Sequence, residues 1–337
     1  MLRSWRILLA SMMVALLTAA VLAAPSGAAG GGTALASCTA ATNIEAIVDD
    51  SISMDFTDEN KLRVQAMDLL IDTLPAKTQL GAVEFGSEFN QPAADTVFPP
   101  ELVGPNAGMM RSSLAAAIQA DNGATDYNAA FKKADEDNPD SQARIFLTDG
   151  GHDVGTYNEA HLAHKVPTYV IGFGSGLASP EDQARLKKIA TDTGGQLFAL
   201  EDNSQLQAVM NKIGAALTCQ TPPREFNDLL KQGQSKTHTI AVGASTKVLQ
   251  IALSWASPSD RFKLGHLKLV VKGKVVAAAR PKVAKLKVKR TNGQTFSVAK
   301  VTGLRKGTLR FAVTAAKVGS GEPKVNLTTQ VGRGSGR

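Results

Sequence analysis

The residues best suited to chemistry lie where a mostly apolar run, residues 44–48, ends in a carboxylate at Asp49. Hydroxyl side chains follow two and four residues later, at Ser51 and Ser53. In the loop that leaves a buried strand, alternate residues can point the same way, so these three side chains can converge. One carboxylate and two hydroxyls offer hard oxygen donors to a divalent cation. The same residue types also cap helices in strand-to-helix loops, so this stretch alone leaves both interpretations open.

Two later stretches favour the cation. Residues 123–126, Gly-Ala-Thr-Asp, open a predicted helix, and a second apolar run, residues 144–147, leads through Thr148 to a carboxylate at Asp149 and two glycines. The three stretches in this order resemble the von Willebrand factor A (VWA) family, whose metal-ion-dependent adhesion site contains Asp-x-Ser-x-Ser, a Thr and a later Asp. The resemblance covers roughly residues 38–219. It implies the metal-site residues Asp49, Ser51, Ser53, Thr125 and Asp149.

The resemblance also implies a function. The expected ion is Mg²⁺, with Mn²⁺ or Ca²⁺ as alternatives, and an acidic side chain of a protein partner would complete its coordination. Thr125 would bind the ion directly or through water. One departure is Ile52, which stands where the family often has Gly; it crowds the loop but removes no ligand.

The elements that must position these residues alternate between strand and helix, which predicts an α/β fold with a doubly wound, mainly parallel sheet over residues 38–220. Strands are predicted at residues 44–48, 79–85, 96–98, 143–147, 168–173 and 196–200. Helices are predicted at residues 57–74, 109–118, 157–164 and 204–217, with others beginning at Thr125 and Ser179. A Rossmann domain would alternate in the same way, but no G-x-G-x-x-G follows the first strand.

The composition changes after Cys219. From residue 221 onward there are 23 Lys and Arg against 4 Asp and Glu, a balance of +19, whereas the preceding part carries 14 against 26. Alternating polar and apolar residues predict some seven short strands and an antiparallel β-sandwich over residues 235–331. A linker at 221–234 and a tail at 332–337 complete the predicted organisation. The order of these strands faintly resembles small sandwiches appended to secreted bacterial proteins.

A basic run near the middle of this second part suggests a further partner. Its residues are Lys282, Lys285, Lys287, Lys289 and Arg290, and the lysines at alternate positions share one strand face. They could hold an anionic cell-envelope polymer, protect a sheet edge from aggregation, or dock on the acidic first part. Few aromatic residues occur here, which argues against nucleic acid as the partner.

The first 37 residues have the character of an export segment. Arg3 and Arg6 precede the apolar run 7–24, and small residues follow to Ser37. Residues 34–36 offer a cleavage site, but residues 35–38 also resemble a lipobox that would lipidate Cys38. An uncleaved membrane anchor is a third alternative. Cys38 and Cys219 flank the α/β part, and oxidising conditions favour a disulfide between them.

These observations predict an exported or cell-surface binding protein of adhesion type rather than an enzyme. No G-x-S-x-G elbow contains Ser51 or Ser53, and no H-E-x-x-H occurs. The alternatives are an accessory subunit of an exported hydrolase and a structural envelope protein whose basic β-domain holds anionic polymer.

Overall fold

The computed structural model describes residues 39–86, 93–119, 123–158, 164, 166–174, 177, 179–200, 205–219, 224–279, 284–319 and 324–333. The predicted export segment and Cys38 lie outside these residues, so the disulfide with Cys219 stays a prediction. The backbone N–H of Ala41 does donate to the carbonyl of Leu217 at 2.8 Å, which brings the two ends of the α/β part together. Within the described part, no helix is long and apolar enough to cross a membrane.

The first lobe, residues 39–219, is built on one six-stranded sheet in the order β3-β2-β1-β4-β5-β6. In this sheet β3 is antiparallel to its neighbour, and the other pairs are parallel. Its strands are β1 (Asn43–Asp49), β2 (Gln79–Phe85), β3 (Ala94–Leu102), β4 (Ala143–Thr148), β5 (Thr168–Gly172) and β6 (Gln196–Ala199). Its helices are α1 (Met54–Thr57), α2 (Leu62–Thr73), α3 (Val103–Ala117), α4 (Tyr127–Asp137), α5 (Pro180–Thr193) and α6 (Leu206–Leu217).

Apolar side chains cover both faces of this sheet, which is why its central strands are mostly apolar along their whole length. On one face, α2, α3 and α6 pack against β1 residues such as Ile44 and Val48. On the other face, α4 and α5 pack against Ile47 and Phe146. The central strands therefore end in a fixed register, and their carboxyl-end loops are held side by side.

The second lobe, residues 224–333, is a sandwich of two antiparallel five-stranded sheets, apart from the short parallel β11–β12 pair. One sheet has the order β13-β14-β9-β16-β7 and the other β12-β11-β10-β15-β8. We call the sheet that contains β9 the inner sheet and the sheet that contains β10 the outer sheet. The strands are β7 (Arg224–Leu229), β8 (Ser235–Val242), β9 (Thr246–Trp255), β10 (Arg261–Val271), β11 (Lys274–Ala278), β12 (Ala284–Lys285), β13 (Lys287–Asn292), β14 (Phe296–Thr302), β15 (Gly307–Lys317) and β16 (Lys324–Arg333).

The predicted fold class, a doubly wound sheet followed by an antiparallel sandwich, is confirmed. Several boundaries differ. The helix predicted at 57–74 begins only at Leu62, since Thr57 ends α1 and the carboxylate of Asp58 accepts hydrogen bonds from the backbone N–H groups of Leu62 and Arg63, the first two residues of α2. The short strand predicted at 96–98 is longer, and the helix predicted at 109–118 begins at Val103. The helix predicted at 157–164 falls mostly outside the described residues.

The predicted linker, residues 221–234, contains a strand, β7, which pairs with β16 at the edge of the inner sheet. Its sequence, Arg-Glu-Phe-Asn-Asp-Leu, is mostly polar because an edge strand buries few side chains. The last strand continues to Arg333, two residues beyond the predicted sandwich.

The inner sheet packs against the first lobe, and both lobes belong to one compact unit. Leu69 of α2 forms an apolar cluster with Ala252, Phe296 and Val298 of the sandwich. Polar contacts surround this cluster. The amide of Gln207 donates to Thr295 at 3.1 Å, and the amide of Asn211 donates to Thr328.

Candidate metal site

The loop after β1 brings the first three predicted residues together. Asp49, the last residue of β1, is fully buried. One of its carboxylate oxygens accepts the backbone N–H of Ser51 at 3.0 Å and the Ser51 hydroxyl at 2.6 Å. The Ser51 and Ser53 hydroxyl oxygens are 3.1 Å apart. As predicted, the side chains at alternate positions, those of Asp49, Ser51 and Ser53, lie together in the loop between β1 and α1.

Asp149 joins the same cluster from the neighbouring strand. It follows β4, which pairs with β1 in parallel, so both carboxylates emerge at one edge of the sheet. Ser53 donates to one oxygen of Asp149 at 2.8 Å, and Thr57 donates to the other. The Thr148 hydroxyl donates to the second oxygen of Asp49 at 2.6 Å.

Thr125 reaches the cluster from a third loop, just before α4. Its hydroxyl lies 3.2 Å from the Ser51 hydroxyl and is nearly buried. The next residue, Asp126, caps α4 by accepting the N–H groups of Asn128 and Ala129. That cap fixes where the helix begins and so holds Thr125 against Ser51. The structure thus brings all five predicted residues together.

Two buried carboxylates near each other are electrostatically unfavourable without a cation. Burial and, to a smaller extent, the charge of Asp149 together raise the pKa of Asp49 to about 7, against the lowering effect of hydrogen bonds from Ser51 and Thr148. Desolvation is the larger cause because Asp49 is sealed from solvent. A bound cation would compensate both carboxylates.

The hydroxyl arrangement also fits a cation. Ser51 and Ser53 each have one hydroxyl proton, and each hydroxyl lies within donating distance of a carboxylate. When both protons are donated in this way, lone pairs of two oxygens 3.1 Å apart face each other. A cation held by those lone pairs would relieve the repulsion. All five side chains offer oxygen, which suits Mg²⁺, Mn²⁺ or Ca²⁺ better than a softer metal.

No group of three or more His, Cys, Asp or Glu side chains arranged for a metal ion occurs in the described part of the chain. The cluster after β1 is of a different kind, because three of its five donors are hydroxyls. The side chain of Ile52, the departure from the family pattern, is 47% exposed and leaves the donors accessible to one another.

A buried ion network behind the loop was missed in the sequence. Arg63 of α2 is fully buried and pairs with Asp50 and Asp58, at 3.1 Å in the case of Asp58. The other oxygen of Asp50 accepts the backbone N–H of Gln119 at 2.8 Å. Arg63 therefore ties the loop after β1 to α1, α2 and the end of α3. The only sequence indication was a second aspartate directly after Asp49.

The basic residues predicted to hold a polyanion do not form one surface. Lys282 lies outside the described residues, and so does the side chain of Lys285. Lys289 is opposite Lys300 in the β13–β14 ladder, and Lys300 is on the same face of β14 as Phe296 and Val298, which contact the first lobe. Lys287 and Lys289 are therefore on the face of the inner sheet that packs against the first lobe. Lys289 and Lys300 both act on Asp72 of α2 electrostatically. Arg290 is on the opposite face.

No protein-family model and no curated protein sequence matches this chain. Solved structures similar to it include a VWA protein from Catenulispora acidiphila, with 16% identity and a TM-score of 0.42, covering 88% of this chain and 65% of that one. Another is proximal thread matrix protein 1 from the mussel byssus, with 21% identity and a TM-score of 0.44, covering 58% of this chain and 50% of that one. The first lobe has an α/β fold built on a mainly parallel six-stranded sheet.

A third similar structure is the pilus adhesin SpaC from Lactobacillus rhamnosus GG, with 10% identity and a TM-score of 0.42, covering 88% of this chain and 44% of that one. The chain spans 65% and 50% of the length of the first two proteins.

Proposed function

We propose that this chain is an exported binding protein whose first lobe holds a divalent cation at Asp49, Ser51, Ser53, Thr125 and Asp149. The cation, Mg²⁺ or Mn²⁺, would capture an acidic side chain of a protein partner. One observation carries the proposal: hydrogen bonds, together with a 3.1 Å contact between the Ser51 and Ser53 hydroxyl oxygens, bring five oxygen-bearing side chains from three separate loops into one cluster at the carboxyl edge of the sheet.

The composition of the cluster supports capture of a carboxylate. Only two of the five donors carry a negative charge, so a bound dication keeps its electrophilic character. A partner carboxylate is then a strong addition to its coordination. Exposed apolar side chains lie beside the cluster, with Phe56 78% and Ile52 47% exposed, and they would contact the partner around the metal.

Calorimetry on metal-stripped mature protein tests the first step. Wild type should bind one Mg²⁺ or Mn²⁺, and Asp149→Ala should abolish binding while the far-ultraviolet circular dichroism stays unchanged. Asp140→Ala is the matched control, because this exposed carboxylate lies before β4, at the other end of the strand. Wild-type affinity in Asp149→Ala would refute the assignment.

The second step is tested with the partner recovered from the producing cell's own envelope. Capture should require Mg²⁺, be lost in EDTA and in Asp149→Ala, and persist in Asp140→Ala. Amidation of the partner's carboxyl groups should abolish it. Metal binding without any metal-dependent capture would instead indicate a metal that only stabilises the fold.

A further inference from the structure

A cavity of about 540 Å³ opens beside β10 on the second lobe. Three of its lining side chains, those of His266, Lys268 and Arg290, are cationic or can become so, and none of its described lining residues is a carboxylate. Leu264 and Leu267 contribute apolar surface. Its volume is within the usual range for ligand sites, in which a few convergent polar groups fix the ligand.

A β-bulge shapes this cavity. Between Gly265 and Lys268, β10 has one more residue than the facing stretch of β15. His266, at the bulge, has a φ of 53°, in the left-handed region that residues other than glycine rarely adopt. Bulges commonly redirect side chains at functional sites. Here the bulge leaves His266 and Lys268 exposed on either side of the buried Leu267.

Arg290 enters the cavity from the other sheet. In the β13–β14 ladder it is opposite Ala299, whose side chain is in the core of the sandwich. Arg290 therefore projects toward the space between the sheets, although it is exposed at the sheet edge. Its neighbour Lys289 projects toward the first lobe instead. This separation distinguishes the cavity from the lysine face predicted in the sequence.

A row of basic side chains extends from the cavity across the outer sheet. Lys268 is directly opposite Arg310 of β15, and Arg310 is opposite Thr239 of β8. Like charges in a direct cross-strand pair destabilise a sheet. Neither Lys268 nor Arg310 makes an ion pair with any described residue. The five strands of the outer sheet contain no Asp or Glu.

We propose that the cavity of His266, Lys268 and Arg290, together with the Lys268–Arg310 row, is a binding site for an acidic polysaccharide. An acidic sugar would place its carboxylate in the cavity that Lys268 and Arg290 both line. The next acidic unit would neutralise Arg310. This site is independent of the metal cluster in the first lobe.

The surroundings favour a polysaccharide over other polyanions. No Phe, Tyr or Trp is among the described residues that line the cavity, so nucleic-acid bases would have no stacking surface. Hydroxyl groups of Thr239 and Thr308 are exposed on the same outer face as Arg310 and can bond to sugar hydroxyls. An open sheet face suits a linear chain that runs from the cavity across neighbouring strands.

The test measures binding of the full mature protein to polygalacturonate at low salt, with neutral dextran as the blank. Lys268→Gln/Arg290→Gln should lower the affinity about tenfold, and the logarithm of the wild-type affinity should fall roughly linearly with the logarithm of salt concentration. Arg310→Glu should also lower it. Lys77→Gln/Lys187→Gln removes two exposed charges from the first lobe and should change it less than about twofold. EDTA should have no effect.

A second pair of variants distinguishes binding in the cavity from binding through the overall positive charge of the second lobe. Lys287→Gln/Lys289→Gln removes the same charge from the other face of β13 and should leave most of the affinity intact. An equal loss in both double variants would overturn the cavity as the site. Lys268→Arg/Arg290→Lys, which keeps the charge, should retain binding and guards against a folding defect. Binding to vesicles containing phosphatidylglycerol but not to polygalacturonate would overturn the choice of ligand.

Discussion

Arg63 is among the largest fully buried side chains in the described part of the protein, and its charge is compensated by two aspartates from different loops. Burial raises the pKa of Asp58, and the charge of Arg63 opposes that rise. A buried pair of this kind is a weak source of net stability, but removing one partner leaves the other charge uncompensated.

We therefore expect Arg63→Met to destabilise the protein by about 3–5 kcal/mol, because Asp50 and Asp58 stay buried without their cation. Urea unfolding measures the change. Arg185→Met is the control, since Arg185 pairs with Glu181 and Asp182 on the helix surface, where such pairs contribute about 0–1 kcal/mol. Similar losses in the two variants would contradict the special role of Arg63.

Glu45 is a second buried ionisable side chain, near the start of β1 and away from the proposed metal site. Burial raises its pKa to about 8, while the hydrogen bond from Asn138 opposes the shift. Its other oxygen has no hydrogen-bond partner among the described residues. The folded protein therefore favours the protonated, neutral acid.

This shift predicts a pH dependence. In the unfolded chain the carboxyl returns to its ordinary pKa of 4.5, so stability from Glu45 is fully present below that pH and is lost as the pH rises toward 8. Glu45→Gln removes the titration. As the pH rises, the free energy of unfolding of the variant should therefore increase relative to that of wild type, by an amount on the order of several kcal/mol at about pH 9. Urea unfolding across the range from acid to alkaline pH measures this difference. Glu136→Gln, an exposed change, should show no such gain, and parallel curves for wild type and Glu45→Gln would contradict the prediction.

The residues of the proposed metal site could be predicted from the sequence, whereas the buried side chains that support them could not. Asp49, Ser51 and Ser53 follow one strand at alternate positions, so local geometry is sufficient to group them. Arg63 stands in a helix expected to be amphipathic, where arginine normally faces solvent. Its burial depends on where two other loops lie, and no local pattern records that.

At the scale of elements, the cluster depends on how closely the loops after β1 and β2 approach. Gly86, after β2, has a φ of 107°, and a Cβ there would lie 2.4 Å from the backbone nitrogen of Ser51. Its carbonyl accepts the N–H of Gly123 at 3.0 Å, in the loop that leads to Thr125. Gly86 thus sets how closely its own loop approaches the loop of Ser51 and the loop that leads to Thr125, two of the three loops that carry the proposed ligands.

Gly86→Ala should therefore both destabilise the fold and lower Mg²⁺ affinity at least about tenfold, a change of about 1.4 kcal/mol in binding free energy. Gly233→Ala separates the two causes: Gly233 also has a positive φ, 79°, but no described atom lies within 4 Å of a Cβ there. The control should show only the backbone penalty, about 1–2 kcal/mol, in urea unfolding. Unchanged Mg²⁺ binding in Gly86→Ala, in a protein that does bind the metal, would show that the loop tolerates displacement.

Element types were easier to predict than their partners in space. The apolar runs of β1, β2 and β4 identify buried parallel strands, and alternation identifies most strands of the sandwich. The strand β7 was missed because its edge position leaves polar side chains that resemble a linker. The face to which Lys289 and Arg290 belong depends on the β13–β14 register, which only the folded ladder defines.

At the scale of the whole molecule, side chains of opposite charge meet across the interface between the lobes, with cations contributed by both lobes. Lys300 and Lys289 of the sandwich act on Asp72 of α2, and Lys212 of α6 pairs with Glu225 of β7 at 2.8 Å. Such partly exposed pairs orient the lobes more than they stabilise them. The buried apolar cluster of Leu69, Ala252, Phe296 and Val298 lies in the same interface and removes apolar surface from water.

The last prediction concerns this cluster. Because α6 and α2 belong to the first lobe yet contact the sandwich, wild type should unfold in a single calorimetric transition. Phe296→Asp places a charge in the buried cluster, where an unpaired carboxylate is strongly unfavourable, so the lobes should then unfold in two transitions. Phe311→Ala is the control, because Phe311 is in the core of the sandwich rather than at the interface. This variant should destabilise the protein by about 3–5 kcal/mol and so lower the midpoint of thermal unfolding, but it should still unfold in a single transition. Two transitions in wild type would mean that the lobes are thermodynamically independent, and the buried contacts of Leu69 would then contribute little to holding them together.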